Sequence, residues 1–373
     1  MNPSPDTLTR RNFLRMASTA AAATTAGFPL LSLADGLAPR RKLGVALVGL
    51  GNYSEHQLAP ALARTKLCRL AGLVSGNPVK AAAWARKWDV PARSVYRYED
   101  IDRVADNPDI DIVYVVTPPS LHREFVVRAA KAGKHVISEK PLAPTVADCD
   151  AMIEACRAAK VKFSVGYRLH FDPYHRELMR LARSGELGGF DDMVSEHSFR
   201  MRFDNWRSNR ALSGGGPMMD MGIYVIQGAL MAQNEVVPVA VTAYEEPKQN
   251  PERFVDVEES MRFTLEFPNG AVMHGGSNYD RPEDRFWLRA KKGWMDFPAS
   301  AYSYQVKYCA TSRGPLSFPI AAYPYQQAAQ MDDFADCLLT GRETPVPGEM
   351  GRRDIRIVQA IYQAARTGKR VVL

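Results

Sequence analysis

Cysteine is scarce in this 373-residue sequence, and its five cysteines lack the spacing of metal ligands. They are Cys68, Cys149, Cys156, Cys309 and Cys337, and their apolar surroundings favour buried free thiols. Disulfides remain open for an exported protein. The glycine and lysine pattern of a nucleoside-triphosphate-binding loop is also missing. The sequence therefore predicts no metal site and excludes a P-loop NTPase.

Long apolar runs are missing as well, and the most apolar segment near the start, residues 16–33, is rich in Ala and Thr. A membrane-spanning helix needs about 20 predominantly apolar residues, so this run is too short. The net charge is only +7, and the single tight basic cluster is Arg40-Arg41-Lys42. We assign that cluster to a solvated arm, because no nucleic-acid recognition motif accompanies it. The sequence thus predicts neither a nucleic-acid partner nor a membrane partner for the mature protein.

The first 34 residues differ in composition from the rest of the chain. Thr9-Arg10-Arg11-Asn12-Phe13-Leu14 precedes the Ala- and Thr-rich run, and Ser32-Leu33-Ala34 has the small-x-small pattern of a signal-peptidase site. This arrangement resembles a bacterial twin-arginine signal. The alternatives are a chance pair of arginines and an uncleaved anchor. We therefore expect a signal peptide over residues 1–34, an arm over 35–42 and a mature protein in the periplasm.

Residues 42–48 form a run that is continuously apolar after Lys42, which suits a central parallel strand. The run enters Gly49-Leu50-Gly51-Asn52-Tyr53-Ser54, and a helical stretch follows over residues 57–63. In a dinucleotide-binding turn the first glycine permits the tight bend, and the second lets the backbone approach a pyrophosphate. The third position takes a small residue that packs against the helix. The pattern predicts that Gly49, Gly51, Asn52 and Tyr53 contact a dinucleotide, and the alternative is an ordinary loop.

The next predicted strand, residues 69–74, ends in Ser75-Gly76-Asn77-Pro78-Val79-Lys80. NAD-preferring sites place an acidic side chain near this point to bind the ribose 2′-hydroxyl, whereas a 2′-phosphate prefers hydroxyl and cationic partners. No acidic residue occurs between Leu67 and Trp88. Ser75 and Lys80 therefore indicate NADP as the cofactor, unless Lys80 is only a solvated lysine at the start of a helix.

Strand and helix patterns alternate up to residue 168. The apolar run at 110–116 leads into Thr117-Pro118-Pro119-Ser120-Leu121-His122, a stiff loop at the carboxyl end of the sheet, where a nicotinamide ribose would lie. The run at 134–137 delivers Glu139-Lys140-Pro141 to the same edge of the sheet. Residues 43–168 are therefore predicted to form an α/β Rossmann domain that binds NADP.

Beyond residue 168 the sequence changes to apolar–polar alternation, which is typical of half-buried strands. Segments 239–244, 259–267 and 271–277 show this alternation, and Asn269-Gly270 predicts a hairpin turn. Residues 169–373 are therefore predicted to form an α+β domain with a large, mainly antiparallel open sheet. We expect this domain to bind the substrate and to mediate oligomerisation.

Several motifs along the chain together carry a family resemblance. They are Gly49-Leu50-Gly51, Leu73-Val74-Ser75-Gly76-Asn77, Gly133-Lys134-His135, Glu139-Lys140-Pro141, Gly166-Tyr167-Arg168, Trp206-Arg207, Gly214-Gly215-Gly216 and Asp220-Met221-Gly222-Ile223-Tyr224. Jointly they resemble the Gfo/Idh/MocA oxidoreductases, and within them the branch of glucose–fructose and aldose–aldose oxidoreductases. Tyr224 stands where the wider family often has histidine. The resemblance implies tightly held NADP and a homodimer or homotetramer.

The same resemblance implies roles for individual residues. Ser75, Lys80 and Tyr98 would surround the adenosine end of NADP. The nicotinamide end would be lined by Glu139, Lys140, Arg168, Trp206 and Arg207. The sugar would meet Lys140, Asp220 and Tyr224.

The oxidation of a sugar at C1 explains why such residues would be needed. A base must take the proton of the sugar hydroxyl while C1 loses a hydride to the cofactor. Tyrosine, with a reference pKa of about 10, is a poor base at neutral pH unless a nearby ammonium favours its phenolate. We therefore predict Lys140, Tyr224 and Asp220 as catalytic residues, with Lys140 beside Tyr224. Asp220 either orients Lys140 or contacts the sugar.

These expectations combine into one function, a periplasmic sugar oxidoreductase with tightly bound NADP. It would oxidise an aldose at C1 to the lactone and reduce a second sugar to an alditol, with ping-pong kinetics. One alternative is a conventional NAD(P)-dependent sugar or cyclitol dehydrogenase with an exchangeable cofactor. The other is a non-catalytic protein that binds sugar or dinucleotide. The expected partners are small-molecule sugars and further copies of the chain.

Overall fold

The computed structural model describes residues 41–304, 308–319 and 324–373. The predicted signal peptide, and all of the predicted arm except its last two residues, lie outside the described residues. The first six strands are β1 Leu43–Val48, β2 Cys68–Val74, β3 Val95–Tyr96, β4 Ile112–Val115, β5 His135–Ser138 and β6 Phe163–Val165. They form one parallel sheet in the order β3-β2-β1-β4-β5-β6. This order is that of a dinucleotide-binding fold, so the predicted Rossmann sheet is confirmed.

Helices connect these strands and pack against the sheet. They are α1 Ala59–Leu62, preceded by the π-helical turn Ser54–Leu58, and α2 Pro78–Trp88, α3 His122–Lys131 and α4 Val146–Ala158. The side chain of Asn77 accepts the backbone N–H of Lys80 at the start of α2, and Thr145 accepts that of Asp148 at the start of α4. Gly133, with a φ of +73°, follows the end of α3. Local capping thus explains where these helices begin or end.

Nine strands of the second half form a mixed sheet. They are β7 Phe190–Ser198, β8 Ala240–Glu245, β9 Ser260–Glu266, β10 Val272–Asn278, β11 Glu283–Ala290, β12 Gly293–Phe297, β13 Ala310–Thr311, β14 Gly314–Pro315 and β15 Val371–Val372. Their order is β14-β13-β12-β11-β7-β10-β9-β8-β15, and only the pair of β7 and β10 is parallel among these described strands. Gly270, with a φ of +83°, makes the predicted turn between β9 and β10. The α+β domain with a mainly antiparallel sheet is confirmed.

The helices of the second half include the helix that carries Tyr224. They are α5 Pro173–Ser184, α6 Arg210–Ser213, α7 Ile223–Ala232, preceded by the π-helical turn Met218–Gly222, and α8 Tyr325–Thr340 and α9 Gly348–Thr367. Every residue of α7 is buried, so the helix is enclosed by the sheet and its neighbouring helices. Core packing therefore holds Tyr224, the second residue of α7, in place.

Helix α8 returns to the Rossmann sheet, which the sequence patterns did not anticipate. Met331 and Phe334 are buried in one apolar cluster with Leu58. The carboxylate of Asp332 also accepts the backbone N–H groups of Lys66 and Leu67, at 2.8 to 3.0 Å. The amphipathic pattern of a helix shows that it has an apolar face but not which sheet covers that face. Helix α8 lies within the predicted range of the second domain, yet it completes the core of the first.

The segment after β6 turns before the predicted end of the first domain at residue 168. Strand β6 ends at Val165, and Arg168 begins a 3₁₀ turn. Gly166 lies against the carboxylate of Glu139, where an added Cβ would come within 2.6 Å of an oxygen. The glycine therefore allows the chain to pass close to Glu139 and turn. This turn brings Arg168 into the interior beside Tyr224.

Two further sequence features can be located in the structure. All five cysteines are buried and free, as their apolar surroundings indicated. Within the described ranges, no helix combines the length and apolar character needed to cross a bilayer.

Candidate active site

The glycine turn after β1 has the geometry that a dinucleotide needs. Gly49 has a φ of +98°, and a Cβ there would lie 2.8 Å from the carbonyl oxygen of Val116, so this position requires glycine. A Cβ at Gly51 would meet no atom within 4 Å, which shows that this side of the turn is open to a ligand. The hydroxyl of Ser54 donates to the carbonyl of Gly49 at 2.6 Å and closes the turn. Asn52, next to Gly51, is exposed.

The predicted adenosine end lies beside this turn, at the carboxyl end of β2. Ser75 is buried, and its hydroxyl accepts the N–H of Asn77 at 3.1 Å. Lys80 is exposed in the first turn of α2. The ring of Tyr98 packs over Gly76, where a Cβ would lie 3.0 Å from the ring. The structure therefore places hydroxyl, ammonium and aromatic groups at the position where the sequence lacks an acid.

A cavity of about 480 Å³ lies at the carboxyl ends of β4 and β5, between the two sheets. It brings together most residues that were predicted for the nicotinamide end and the sugar. Those in its wall are Tyr53, Thr117, Pro119, Glu139, Lys140, Arg168, Trp206, Arg207, Asp220 and Tyr224. Residues distant in sequence thus meet in one concave site of the size expected for a small ligand.

Asp220 is the centre of a charged network in this cavity. Lys140 Nζ donates to the backbone carbonyl of Asp220 at 2.7 Å and to its carboxylate at 3.2 Å. Arg207 Nε donates to the other carboxylate oxygen at 2.6 Å, and the hydroxyl of Tyr279 donates to it at 3.3 Å. The two cations overcome the effect of burial and hold the pKa of Asp220 well below its usual range. The two cations therefore favour the ionised form of Asp220, and its carboxylate holds the ammonium of Lys140 in place.

Tyr224 is held by a different cation from the one expected. Arg168 Nε donates to the hydroxyl of Tyr224 at 3.3 Å, whereas Lys140 Nζ lies over the ring face, 4.6 Å from its centroid. Burial raises the pKa of Tyr224, and the guanidinium of Arg168 is the main opposing influence. Lys140 thus lies beside Tyr224, as expected, but over the ring and not at the hydroxyl, and its ammonium is hydrogen-bonded to Asp220.

Glu139 is a buried carboxylate that contacts the segment carrying Lys140. Its carboxylate accepts the hydroxyl of Tyr114 at 2.7 Å and the backbone N–H of Lys140 at 3.2 Å. Gln330 of α8 in turn donates to the hydroxyl of Tyr114 at 2.7 Å. Burial raises the pKa of Glu139, and these hydrogen bonds oppose the effect. Helix α8 thus helps to hold the segment that carries Lys140 in place, through hydrogen bonds from Gln330 to Tyr114 and from Tyr114 to Glu139.

Two predicted cofactor residues of the loop from Thr117 to His122 lie outside the cavity wall. His122 is buried behind the loop, with its two ring nitrogens 2.8 and 3.0 Å from the carbonyl oxygens of Thr117 and Leu142. Burial lowers the pKa of His122. Pro118 immediately precedes the 3₁₀ turn Pro119–Leu121. Both residues shape the loop that presents Thr117.

Several residues of the wall were missed by sequence reasoning. They are His197, Phe199, Met221, Asp284, Ala299, Tyr302, Ser303 and Tyr304. Tyr302-Ser303-Tyr304 is an aromatic-rich stretch that could have indicated a pocket. The other residues come together through the packing of several elements, among them β7 and β11.

The residues present fit a nicotinamide dinucleotide. Thr117 Oγ1 is buried in the cavity wall and has no hydrogen-bond partner among the described residues. Buried hydroxyls in proteins are normally satisfied, so this one fits a polar ligand group. The turn from Gly49 to Gly51 and Ser75 would hold the phosphates and the adenosine ribose, and Thr117 would contact the nicotinamide half.

A Rossmann sheet with an open glycine turn, facing a cavity that holds a lysine and a tyrosine, defines the class of nicotinamide-dependent oxidoreductases. Two family models match the chain. The family described as "Oxidoreductase family, NAD-binding Rossmann fold" matches residues 43–167, and the "GFO/IDH/MocA C-terminal domain" matches residues 175–296. The chain therefore belongs to the Gfo/Idh/MocA oxidoreductase family, as its motifs predicted.

Individual relatives and solved structures extend this result. The chain is similar to the aldose-aldose oxidoreductase from Caulobacter crescentus, with 44% identity and a TM-score of 0.86 over 89% of this chain and 100% of that one. It is 29% identical to a D-xylose 1-dehydrogenase [NADP(+)] from Haloarcula marismortui over 94% of this chain and 99% of the relative. A levoglucosan dehydrogenase structure, at 24% identity and a TM-score of 0.76 over 89% of this chain and 99% of that one, shares the fold.

Proposed function

We propose that this protein is an NADP-containing sugar oxidoreductase that oxidises one aldose at C1 and reduces a second sugar in the same site. The proposal rests on one observation above all: Tyr224 and Lys140 face one cavity beside the glycine turn, each held by a buried partner. A protein that only binds sugar does not need this acid–base pair. The similarity to an enzyme named aldose-aldose oxidoreductase supports the same activity.

The reaction balances without an external oxidant. In the first half, the sugar hydroxyl gives its proton to Tyr224 and C1 gives up a hydride, which yields the lactone. A dinucleotide held by the glycine turn and Thr117 would supply the hydride acceptor here and the hydride donor in the second half. In that second half, Tyr224 returns the proton to the carbonyl oxygen of the second sugar, which yields the alditol. Lys140 stabilises the negative charge on the sugar oxygen in both directions.

The export signal supports retention of the cofactor. The predicted twin-arginine signal implies that the protein crosses the membrane already folded. We do not expect free NADP in the periplasm, so a cofactor loaded in the cytoplasm must be regenerated where it is bound. Two half-reactions in one site satisfy this need, and the first product must leave before the second sugar enters, which gives ping-pong kinetics.

Incubating the cofactor-loaded protein with one aldose and no added NADP is expected to yield lactone, or its acid, and alditol in equal amounts. The stoichiometry follows from the two coupled half-reactions, and chromatography of the products measures it. The control is the Tyr224→Phe variant under the same conditions. If product forms only in proportion to added free NADP, the coupled reaction is wrong.

That opposite outcome would favour the second candidate, a conventional dehydrogenase with exchangeable cofactor. The observation in its favour is that two relatives are named D-xylose 1-dehydrogenases that use NADP(+). One of them matches 94% of this chain. The same site residues would serve that reaction, so only the fate of the cofactor separates the two candidates.

The Ser75→Asp variant is expected to lose at least about tenfold in its preference for NADP over NAD. A carboxylate at this position would repel the 2′-phosphate and remove a charge-assisted hydrogen bond worth about 1.5–3 kcal/mol. Fluorescence titration of the cofactor-free protein with each dinucleotide measures the change. Lys131→Ala, at the far end of α3, is the control and should alter neither affinity. Equal affinity of the unmodified protein for NAD and NADP would defeat the assignment.

We further propose that the protein is a homodimer or homotetramer that pairs through the open face of the second sheet. Thr242 and Tyr244 of β8, Thr264 of β9 and His274 of β10 line a shallow groove on this face. Tyr244, near the end of the sheet, is 60% exposed and adds apolar surface to this face. Pairing of two such faces would cover it.

A further inference from the structure

Arg168 is a buried cation without an anionic partner. Only 1% of its surface is exposed, and no carboxylate of the described residues lies within 4.0 Å of its guanidinium nitrogens. Its donors instead reach neutral oxygens, namely the carbonyls of Tyr302 and Ser303, the side-chain amide of Gln326 and the hydroxyl of Tyr224. Burying an unpaired charge is costly, so a protein that retains one has a use for it.

The amide of Gln326 cannot compensate this charge, but it holds the guanidinium in a fixed orientation. Its Nε2 donates to the carboxylate of Asp172 at 2.8 Å, which directs its oxygen towards Arg168. Asp172 is itself saturated by the backbone N–H groups of Tyr174 and His175 and by the hydroxyl of Tyr325. Three oxygens therefore hold the two terminal nitrogens of the guanidinium, and its Nε donates to the hydroxyl of Tyr224.

Lys140 is in the opposite situation. Its ammonium contacts the carboxylate of Asp220, which Arg207 also contacts, and it lies over the ring face of Tyr224 and not at the hydroxyl. A carboxylate in direct contact therefore offsets part of the charge of Lys140, whereas no carboxylate of the described residues contacts Arg168. The ammonium of Lys140 remains placed to meet the sugar oxygen.

Other titratable groups also face Tyr224. They are Glu139, Asp220, His197, Tyr53, Tyr302 and Tyr304. Glu139 and Asp220 disfavour a phenolate, and the tyrosines are neutral at ordinary pH because burial raises their pKa values. The lone cation in hydrogen-bond contact with the hydroxyl, among the described residues, is Arg168.

We infer that Arg168 is the positioning residue that stabilises the phenolate of Tyr224 during sugar oxidation, so that the two form a tyrosine–arginine dyad. This inference rests on the proposed function, in which Tyr224 takes the proton of the sugar hydroxyl. The O–H bond of the sugar breaks and the phenolic O–H bond forms, while the dinucleotide that the site would hold would supply the acceptor for the C1 hydride. The missing anionic partner of Arg168 is then the phenolate itself.

The dyad makes a specific prediction for the pH profile of oxidation. The rate of cofactor reduction in a single turnover rises with pH as Tyr224 ionises, and removal of a charge at this distance raises a pKa by about 1–3 units. Arg168→Met should therefore move the midpoint upward by about 1–3 pH units, while Arg168→Lys, which keeps a charge, should restore part of the shift. Lys140→Met should lower the rate yet move the midpoint by less than one unit.

A second readout does not depend on turnover. The near-ultraviolet difference absorbance between the unmodified protein and Tyr224→Phe reports ionisation of this phenol and should give the same midpoint. If Arg168→Met does not fold, Lys140→Met still tests the dyad. A midpoint shift of about 1–3 pH units in Lys140→Met would show that Lys140 stabilises the phenolate, and this result would overturn the dyad. An unmoved midpoint in Arg168→Met overturns it as well. Normal turnover in Tyr224→Phe would instead refute the role of Tyr224 in the proposed function.

Discussion

Tyr224→Phe is expected to lower turnover by about 10²-fold or more while the cofactor stays bound. The phenolic hydroxyl is the group placed to exchange a proton with the sugar, and loss of a general acid–base group has this usual scale. The ring remains, so its contacts with His197 and Tyr302 are kept. Steady-state kinetics measure the loss, and absorbance of the purified protein after gel filtration reports the bound cofactor.

Tyr174→Phe is the matched control for this substitution. Tyr174 is also a buried tyrosine, but it lies in α5 and its ring packs against Phe318, away from the cavity. Turnover within about threefold of the unmodified protein is expected there, since only a structural hydroxyl is lost. Near-normal turnover in Tyr224→Phe would transfer proton exchange to another residue of the cavity.

Asp220→Asn is expected to affect both stability and turnover. Asparagine keeps the shape but removes the charge, which leaves Lys140 and Arg207 without their anion. Removing one partner of a buried pair costs about 3–5 kcal/mol of unfolding free energy, and we expect about 3 because a third of Arg207 is exposed. Turnover should fall by about 10²-fold because Lys140 loses its orientation. Urea unfolding and steady-state kinetics measure the two effects.

The control for Asp220→Asn is the same substitution at Asp204. Asp204 pairs with Arg253 at 2.9 Å, but its side chain is 75% exposed. An exposed pair contributes about 0–1 kcal/mol, so this variant should unfold and turn over almost as the unmodified protein does. A full loss of turnover in Asp220→Asn without loss of stability would show that the carboxylate contacts the sugar directly, the alternative that the sequence left open.

The pH dependence of stability should distinguish Asp220 from Glu139. The pKa of Asp220 is lowered in the folded protein, so its contribution to stability is present at neutral pH and is lost as pH falls through its folded pKa. The pKa of Glu139 is raised, so the opposite holds: its ionisation at neutral pH disfavours the folded state. The two buried carboxylates of one cavity thus oppose each other.

Much of the first domain could be predicted from the sequence because its signals are local. The run before Gly49, the glycine turn, the missing acid after β2 and the loop at Thr117 are all set by neighbouring residues, and the strands and turn formed where expected. Parallel strands place their carboxyl ends at one edge, so the location of Lys140 followed from order alone. The motifs also identified the family.

Only the tertiary structure decided which cation serves which partner. The family resemblance carried by the sequence motifs implied that Lys140, Asp220 and Tyr224 would meet the sugar together. The sequence pattern does not show which charges pair across 80 residues. The carboxylate of Asp220 binds the ammonium of Lys140. The turn after Gly166 brings the guanidinium of Arg168 to the hydroxyl of Tyr224. The return of α8 to the first sheet supplies Gln326 and Gln330. These contacts join residues that are distant in sequence, and tertiary packing sets their distance and burial. Distance and burial in turn determine the strength of an electrostatic interaction.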